Sequence, residues 1–163
     1  EIKPGDLSIP DQYFDFVKGD REKTFFGNGL AAHVSTAEPT CESLTSALVA
    51  AAKAIDVPIH TGKTYGCVDG PRLGTRAESF FLKGPAGCDL VGMTNVPEVF
   101  LAREAQICYC TVAIATDYDC WSDSINYYWA VGYFYASLRW LSKFSTRAGK
   151  KCCEHILQVV NIH

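Results

Sequence analysis

The sequence predicts an α/β domain built in layers, and three observations carry that prediction. Short strand-like runs alternate with amphipathic helical stretches, the pattern of a sheet covered by helices. One run, Ile107-Cys108-Tyr109-Cys110-Thr111-Val112-Ala113-Ile114-Ala115, carries no charge and many β-favouring residues. It reads as a strand buried on both faces. That run ends in two carboxylates, Asp117 and Asp119, at the edge where open α/β sheets gather ligands. The alternation alone leaves both a parallel and a mixed sheet open.

From the N-terminus, Gly5-Asp6 marks a turn and Leu7-Ser8-Ile9 alternates like the start of a strand. Asp15 to Gly29 mixes charge, glycine and Phe25-Phe26, which predicts a loop. Leu44, Ala47, Leu48, Ala51 and Ile55 then form one helical stripe, with Thr40 as N-cap and Asp56-Val57-Pro58 as the stop. Thr64 to Val68 reads as a short strand, followed by the turn Asp69-Gly70-Pro71-Arg72. Thr75-Arg76-Ala77-Glu78 fits a capping box opening a helix through Phe81 that stops at Gly84-Pro85. Leu90 to Met93 is another short buried strand. Pro97 suits the first turn of a helix from Val96 to Gln106, with Glu98 near its positive end. The long strand follows. After Trp121 the chain reads as helical, with a break near Gly149, so residues 124–163 form a C-terminal helical segment of a single domain spanning 1–163.

A chain of 163 residues suffices for one domain with a real core. Its 48% hydrophobic and 20% charged residues are ordinary globular usage. A net charge of −3 offers no electrostatic footprint for nucleic acid or an anionic membrane. The longest apolar run, Tyr127 to Ala136, falls short of the roughly 20 residues a membrane span needs. No basic segment leads into an apolar leader-like stretch, and a cytoplasmic location is expected. The chain opens at Glu1 without a methionine, which suggests a portion of a longer product. Eight cysteines lack any Cys-x-x-Cys pair, so neither a zinc nor a redox module finds support in their spacing. Cys108 and Cys110 share one face of the predicted strand as small hydrophobes. The vicinal Cys152-Cys153 leaves an oxidised tail open.

Three segments carry candidate chemistry. Asp117 and Asp119, at i and i+2 of an extended segment, would project to one side and meet a planar ring edge at two points. One carboxyl would give a proton to a ring nitrogen, which needs a raised pKa, while the other accepts from an exocyclic amine. The competing reading is an Asx-turn or helix cap after the strand. In Gly92-Met93-Thr94-Asn95-Val96-Pro97-Glu98-Val99 a strand runs directly into a helix. There Thr94 either helps hold an anion at the helix N-terminus or, like Asn95, simply caps it. In the third, Asp69 to Ser79, Gly70 and Gly74 permit a tight loop over a ligand and Leu73 offers a cover for an aromatic ring. Arg72 and Arg76 read best as structural ion-pair partners. A lone His33 is either a ligand contact or structural.

Taken in order, these segments resemble the methylthioadenosine phosphorylase branch of the purine nucleoside phosphorylase family. The resemblance rests on Gly70-Pro71-Arg72, Thr75-Arg76-Ala77-Glu78-Ser79, Val91-Gly92-Met93-Thr94 and Val96-Pro97-Glu98-Val99. Leu101-Ala102-Arg103-Glu104-Ala105, Ala115-Thr116-Asp117-Tyr118-Asp119, Pro4-Gly5-Asp6-Leu7 and His33-Val34 continue it, over roughly Glu1 to Asp123. It implies a central mixed sheet flanked by helices and a homotrimer. It also implies phosphorolysis of 5′-methylthioadenosine, or another 6-aminopurine nucleoside, to adenine and 5-methylthioribose 1-phosphate. Inorganic phosphate would be the co-substrate, with no metal or organic cofactor. By the same resemblance Asp117 serves the purine N7 and Asp119 the 6-amino group. Met93 lines the ribose, Thr94 contacts phosphate, Leu73 and Gly74 lie against the base, and His33 reaches into a neighbouring subunit's site. The chain departs from the family at Leu73, where phenylalanine is common, at Gly74 and at Asp69. The resemblance also implies an N-terminal phosphate-binding segment that this sequence does not contain. Those departures open an alternative, a non-catalytic relative serving nucleoside binding, storage or assembly.

Overall fold

The computed structural model describes residues 1–121 and the backbone of 157–162. Five strands, β1 (Leu7–Asp15), β2 (Ile59–Cys67), β3 (Leu90–Gly92), β4 (Cys110–Ala115) and β5 (Leu157–Ile162), form one sheet in the order β3-β2-β1-β4-β5. Neighbours are parallel except β1 and β4, which pair antiparallel with Leu7 opposite Ile114, so the sheet is mixed. Among the described residues three helices, α1 (Glu42–Ala54), α2 (Arg76–Lys83) and α3 (Asn95–Glu104), connect β1 through β4.

β4 is buried along its whole length, as its uncharged sequence demands. Its pleat sends alternate side chains to opposite layers. Cys110 and Val112 pack with Ile9 and with Leu48 and Ala52 of α1. Tyr109 and Ala113 pack on the other face with Tyr65, Cys67, Val96 and Val99, beside α3. Burying both faces between helices explains why this strand reads as a continuous apolar run rather than an alternating one.

Several boundaries move. β1 and β2 each run nine residues, longer than their apolar stretches imply, because β1 and β2 pair along most of their lengths. β4 starts at Cys110 rather than Ile107, so Cys108 lies ahead of the strand and does not share its face as expected. Cys41, not Thr40, is the N-cap of α1; the Thr40 hydroxyl instead donates to the Pro10 carbonyl at 2.9 Å and ties this turn to β1. Leu157–Ile162 is a strand, not the helix expected at the C-terminus. Its parallel pairing with β4 gives Leu157-Gln158-Val159-Val160-Asn161-Ile162 an edge on which to extend. The rest of that expected helical segment, the break near Gly149 and the Cys152-Cys153 pair lie outside the described residues. Among the described residues Cys41, Cys67, Cys88, Cys110 and Cys120 are thiols outside any disulfide. Among the described residues no helix is long and apolar enough to cross a membrane. Nor does any group of three or more His, Cys, Asp or Glu there form a candidate metal cluster.

Candidate functional site

The carboxyl ends of β2 and β3 open onto a cleft of about 520 Å³, walled by the β2–α2 loop, the start of α2 and the end of β3. Leu73, Gly74, Met93 and Asp119 all line it, so four of the residues expected at the site converge there. Phe16 and Phe81 meet edge to face at 5.7 Å and give the cleft an aromatic flank. A Cβ on Gly70 would stand 2.7 Å from the Met93 sulfur, so the thioether rests on bare backbone.

The lip bearing Leu73 and Gly74 is held from α2. The Thr75 hydroxyl accepts from the Glu78 amide at 3.3 Å, and the Glu78 carboxylate accepts from the Thr75 amide at 2.7 Å, completing the expected capping box. Arg72 grips the same carboxylate with both terminal nitrogens, at 2.9 and 2.7 Å. That bidentate pair, with the Thr75 amide, holds the Glu78 carboxyl well below its usual range. Arg72 is therefore engaged as an ion-pair partner, as its sequence context implied. From the other side, the Cys120 thiol donates to the Gly74 carbonyl at 3.7 Å.

The acid pair does not have the geometry expected of it. Asp117 and Asp119 lie past the end of β4, and Asp119 adopts φ 54° at the start of a 3₁₀ turn spanning Asp119–Trp121. The Asp119 amide donates to Asp117 Oδ1 at 2.8 Å, an Asx-turn, and the Thr116 hydroxyl donates to Asp117 Oδ2 at 3.1 Å. The extended i, i+2 arrangement is lost because a carboxylate two residues before an amide closes this turn. Asp119 faces the cleft, whereas Asp117 lines an adjoining hollow of about 320 Å³ that Asp119 shares.

Thr94 stands next to Met93 but is not among the residues lining either space. Its side chain makes no cap hydrogen bond to α3; it donates to the Asn95 amide oxygen at 3.5 Å. Val96, at φ −114° and ψ 128°, is extended, and a cis Val96–Pro97 peptide follows, so regular helix begins at Pro97. The plain capping role therefore fails for Thr94, and the first turn of α3 is not the regular anion cradle expected. Asn95 is instead fully buried: its amide donates to the Thr111 hydroxyl at 3.1 Å, Thr111 to Tyr109 at 3.1 Å, and Tyr109 to Glu98 at 2.9 Å. This chain of polar groups latches α3 onto β4. His33 is exposed in the arm between β1 and α1, apart from the cleft.

Two contributors were not among the expected site residues. Ser79 is 3% exposed and lines both spaces with a hydroxyl lacking any hydrogen bond of standard geometry. Arg21, from the loop after β1, donates through Nη1 to the carbonyls of Met93 and Val96 at 2.9 and 2.7 Å. Its partners lie more than seventy residues away, beyond any sequence window.

A family model described as the phosphorylase superfamily matches residues 1–140. The S-methyl-5′-thioadenosine phosphorylase of Geobacter sulfurreducens is 50% identical over 124 residues, 76% of this chain and 43% of that protein. The enzyme of the same name from Hyperthermus butylicus is 47% identical over 123 residues, covering 76% and 44%. Among solved structures, methylthioadenosine phosphorylase from Schistosoma mansoni in complex with adenine superposes with a TM-score of 0.81 at 33% identity. That match covers 90% of this chain and 58% of the other. A methylthioadenosine phosphorylase from an antarctic soil metagenomic library gives 0.76 at 36%, covering 91% and 56%. The chain thus spans less than half the length of these two curated relatives.

Proposed function

The chain belongs to the phosphorylase superfamily, and from that membership we propose that it supplies the base- and ribose-binding part of an enzyme that phosphorolyses 5′-methylthioadenosine. What carries the reading is the convergence of Leu73, Gly74, Met93 and Asp119 on one cleft. The S-methyl-5′-thioadenosine phosphorylases that this chain matches at 47–50% identity point the same way.

In the proposed reaction a phosphate oxygen bonds to the anomeric carbon as the bond from that carbon to the purine nitrogen breaks. Positive charge develops on the sugar, and the electron pair of the broken bond passes into the purine ring. A proton or hydrogen bond at N7 makes the ring a better leaving group. Asp117, steadied by Thr116 and by the Asp119 amide, serves N7. Asp119 accepts from the 6-amino group and so selects aminopurines. Met93, wedged on Gly70, packs against the ribose, and Leu73 and Gly74 cover the base. Thr94 contributes a hydroxyl to phosphate, the co-substrate, and no cofactor takes part. The retained Asp117, Asp119, Met93 and Thr94 favour this reading over a non-catalytic relative.

On this reading the protein serves purine and methionine salvage, in the cytoplasm. The assembly is a homotrimer in which His33 reaches a neighbour's site. Phe25 and Leu30 on the same arm are 67% and 64% exposed, a costly arrangement unless a partner covers them.

The test begins with binding: calorimetric titration of the folded chain with methylthioadenosine and with adenine, then phosphate-dependent adenine release, with Asp117→Asn as control. Specific binding is expected of the chain, and any release that accompanies it falls in Asp117→Asn. A folded chain that binds neither ligand would refute the proposal.

A further inference from the structure

The two lips of the cleft come from the β2–α2 and β3–α3 loops, yet one side chain from a third segment joins them. Both hydrogens of Arg21 Nη1 are directed at backbone carbonyls, Met93 at 2.9 Å and Val96 at 2.7 Å. These bracket Thr94 and Asn95, the stretch where β3 passes into α3. Nη2 faces Asp69 Oδ1 at 3.4 Å, beside Gly70 on the opposite lip. The other oxygen of Asp69 accepts from the amides of Lys18 and Gly19 at 2.7 and 2.8 Å, anchoring the segment that carries Arg21. Gly19 permits that approach, since a Cβ there would lie 3.2 Å from Asp69 Oδ1. The guanidinium side chain is about a quarter exposed, so these bonds are partly shielded from competing water.

We propose that Arg21 is a positioning residue for nucleoside recognition, fixing Met93 against Gly70 by clamping the Met93 and Val96 carbonyls and tying them to Asp69. The proposal rests on the functional reading above, because it assigns Met93 to the ribose. The requirement is for a guanidinium specifically. Its planar fork offers donors at fixed angles to two carbonyls and a carboxylate together, whereas an ammonium is a compact charge with rotatable donors. Arg21 itself does not touch the cleft, so it acts through Met93. Losing the clamp frees the thioether and the Thr94 turn together, and displacement of a binding group by about 1 Å can cost up to a hundredfold.

Met93 is the chain's single methionine, so its labelled methyl gives one NMR resonance without assignment. The experiment follows that resonance in wild type, Arg21→Ala and Arg21→Lys, with and without methylthioadenosine, alongside circular dichroism to verify folding. In the wild type one sharp resonance shifts on titration. In both variants it is expected to move or broaden before ligand is added, with affinity reduced about tenfold or more in Arg21→Ala and less in Arg21→Lys. Should Arg21→Ala fail to fold, Arg21→Lys decides by the same two readouts. Variants that keep wild-type affinity overturn the proposal, even if their melting temperatures fall, since Arg21 would then serve stability alone. A wild-type resonance indifferent to methylthioadenosine would instead overturn the functional reading, and that outcome is separate because it appears before any substitution is made.

Discussion

Gly92→Ala tests the packing beneath the cleft most directly. Gly92 is the last residue of β3, in register with Cys67 of β2, and its carbonyl accepts from the Val68 amide at 2.9 Å. The fully buried Tyr65 ring stands against its Cα. An added methyl would overlap the Tyr65 hydroxyl and sit 2.6 Å from Cζ and 3.1 Å from Cε2. The ring has little room to retreat, since it is packed in the core with Val96, Val99 and Tyr109 and faces the Tyr13 ring at 5.9 Å. Either β3 is pushed off β2 or the ring leaves its place. Overpacking of this kind costs about 2–3 kcal/mol, or about 4–12 °C in melting temperature for a chain of this size. Urea unfolding followed by circular dichroism measures it as a lower midpoint at unchanged slope. Tyr65→Phe should be mild by itself, because the hydroxyl makes no hydrogen bond of standard geometry. In the double variant the worst overlap is gone but Cζ remains, so recovery is partial, with a coupling of about 1 kcal/mol. A Gly92→Ala midpoint equal to wild type, or a double variant with no recovery, would refute the reasoning.

Further outcomes follow from the same geometry. Thr75→Ala removes one half of the capping box and should cost about 1 kcal/mol, seen as a lower urea midpoint; the Leu73–Gly74 lip should gain mobility in amide exchange, and unchanged exchange there would refute the link. Burial pushes the thiols of Cys88 and Cys110 up to about 11 and the phenol of Tyr13 to about 12, against ordinary values of 9 and 10. The unfolded chain therefore releases these protons first, so stability is intact below pH 9 and falls as pH rises through 11 to 12. Urea midpoints at pH 8 and 10.5 should differ in that direction, less so in Cys110→Ala, and a flat profile would count against the burial. Asp119→Asn replaces an acceptor with a group that also donates, so binding should move from adenine toward 6-oxopurines, roughly 10-fold or more; competition titrations with adenine and hypoxanthine decide it.

How much of this could be read beforehand depended on the range of the interaction. The capping box of α2 involves residues three apart and is plain in Thr75-Arg76-Ala77-Glu78. β4 is legible for a different reason: burial on both faces removes every charged residue from it. The acid pair was visible as two letters but not as a geometry. Whether Asp117 and Asp119 project together or close an Asx-turn depends on the backbone after β4, and the positive φ of Asp119 decided for the turn. Thr94 misled in a related way, since the extended Val96 ahead of Pro97 delays the helix that Thr94 would have capped.

The sequence by itself determined the three helices α1 to α3 and the buried central strand, because periodicity, caps and apolar runs are properties of neighbours along the chain. The resemblance to a family, not any pattern of that kind, pointed to Leu73, Gly74, Met93 and Asp119. Tertiary structure alone decided which of those residues meet. The antiparallel pairing of β1 with β4 within an otherwise parallel sheet, the Met93 thioether on Gly70, and the reach of Arg21 to carbonyls more than seventy residues distant are contacts across the fold. Each requires two segments to be brought together by the burial of a common core, and that burial is a property of the whole chain rather than of any window within it.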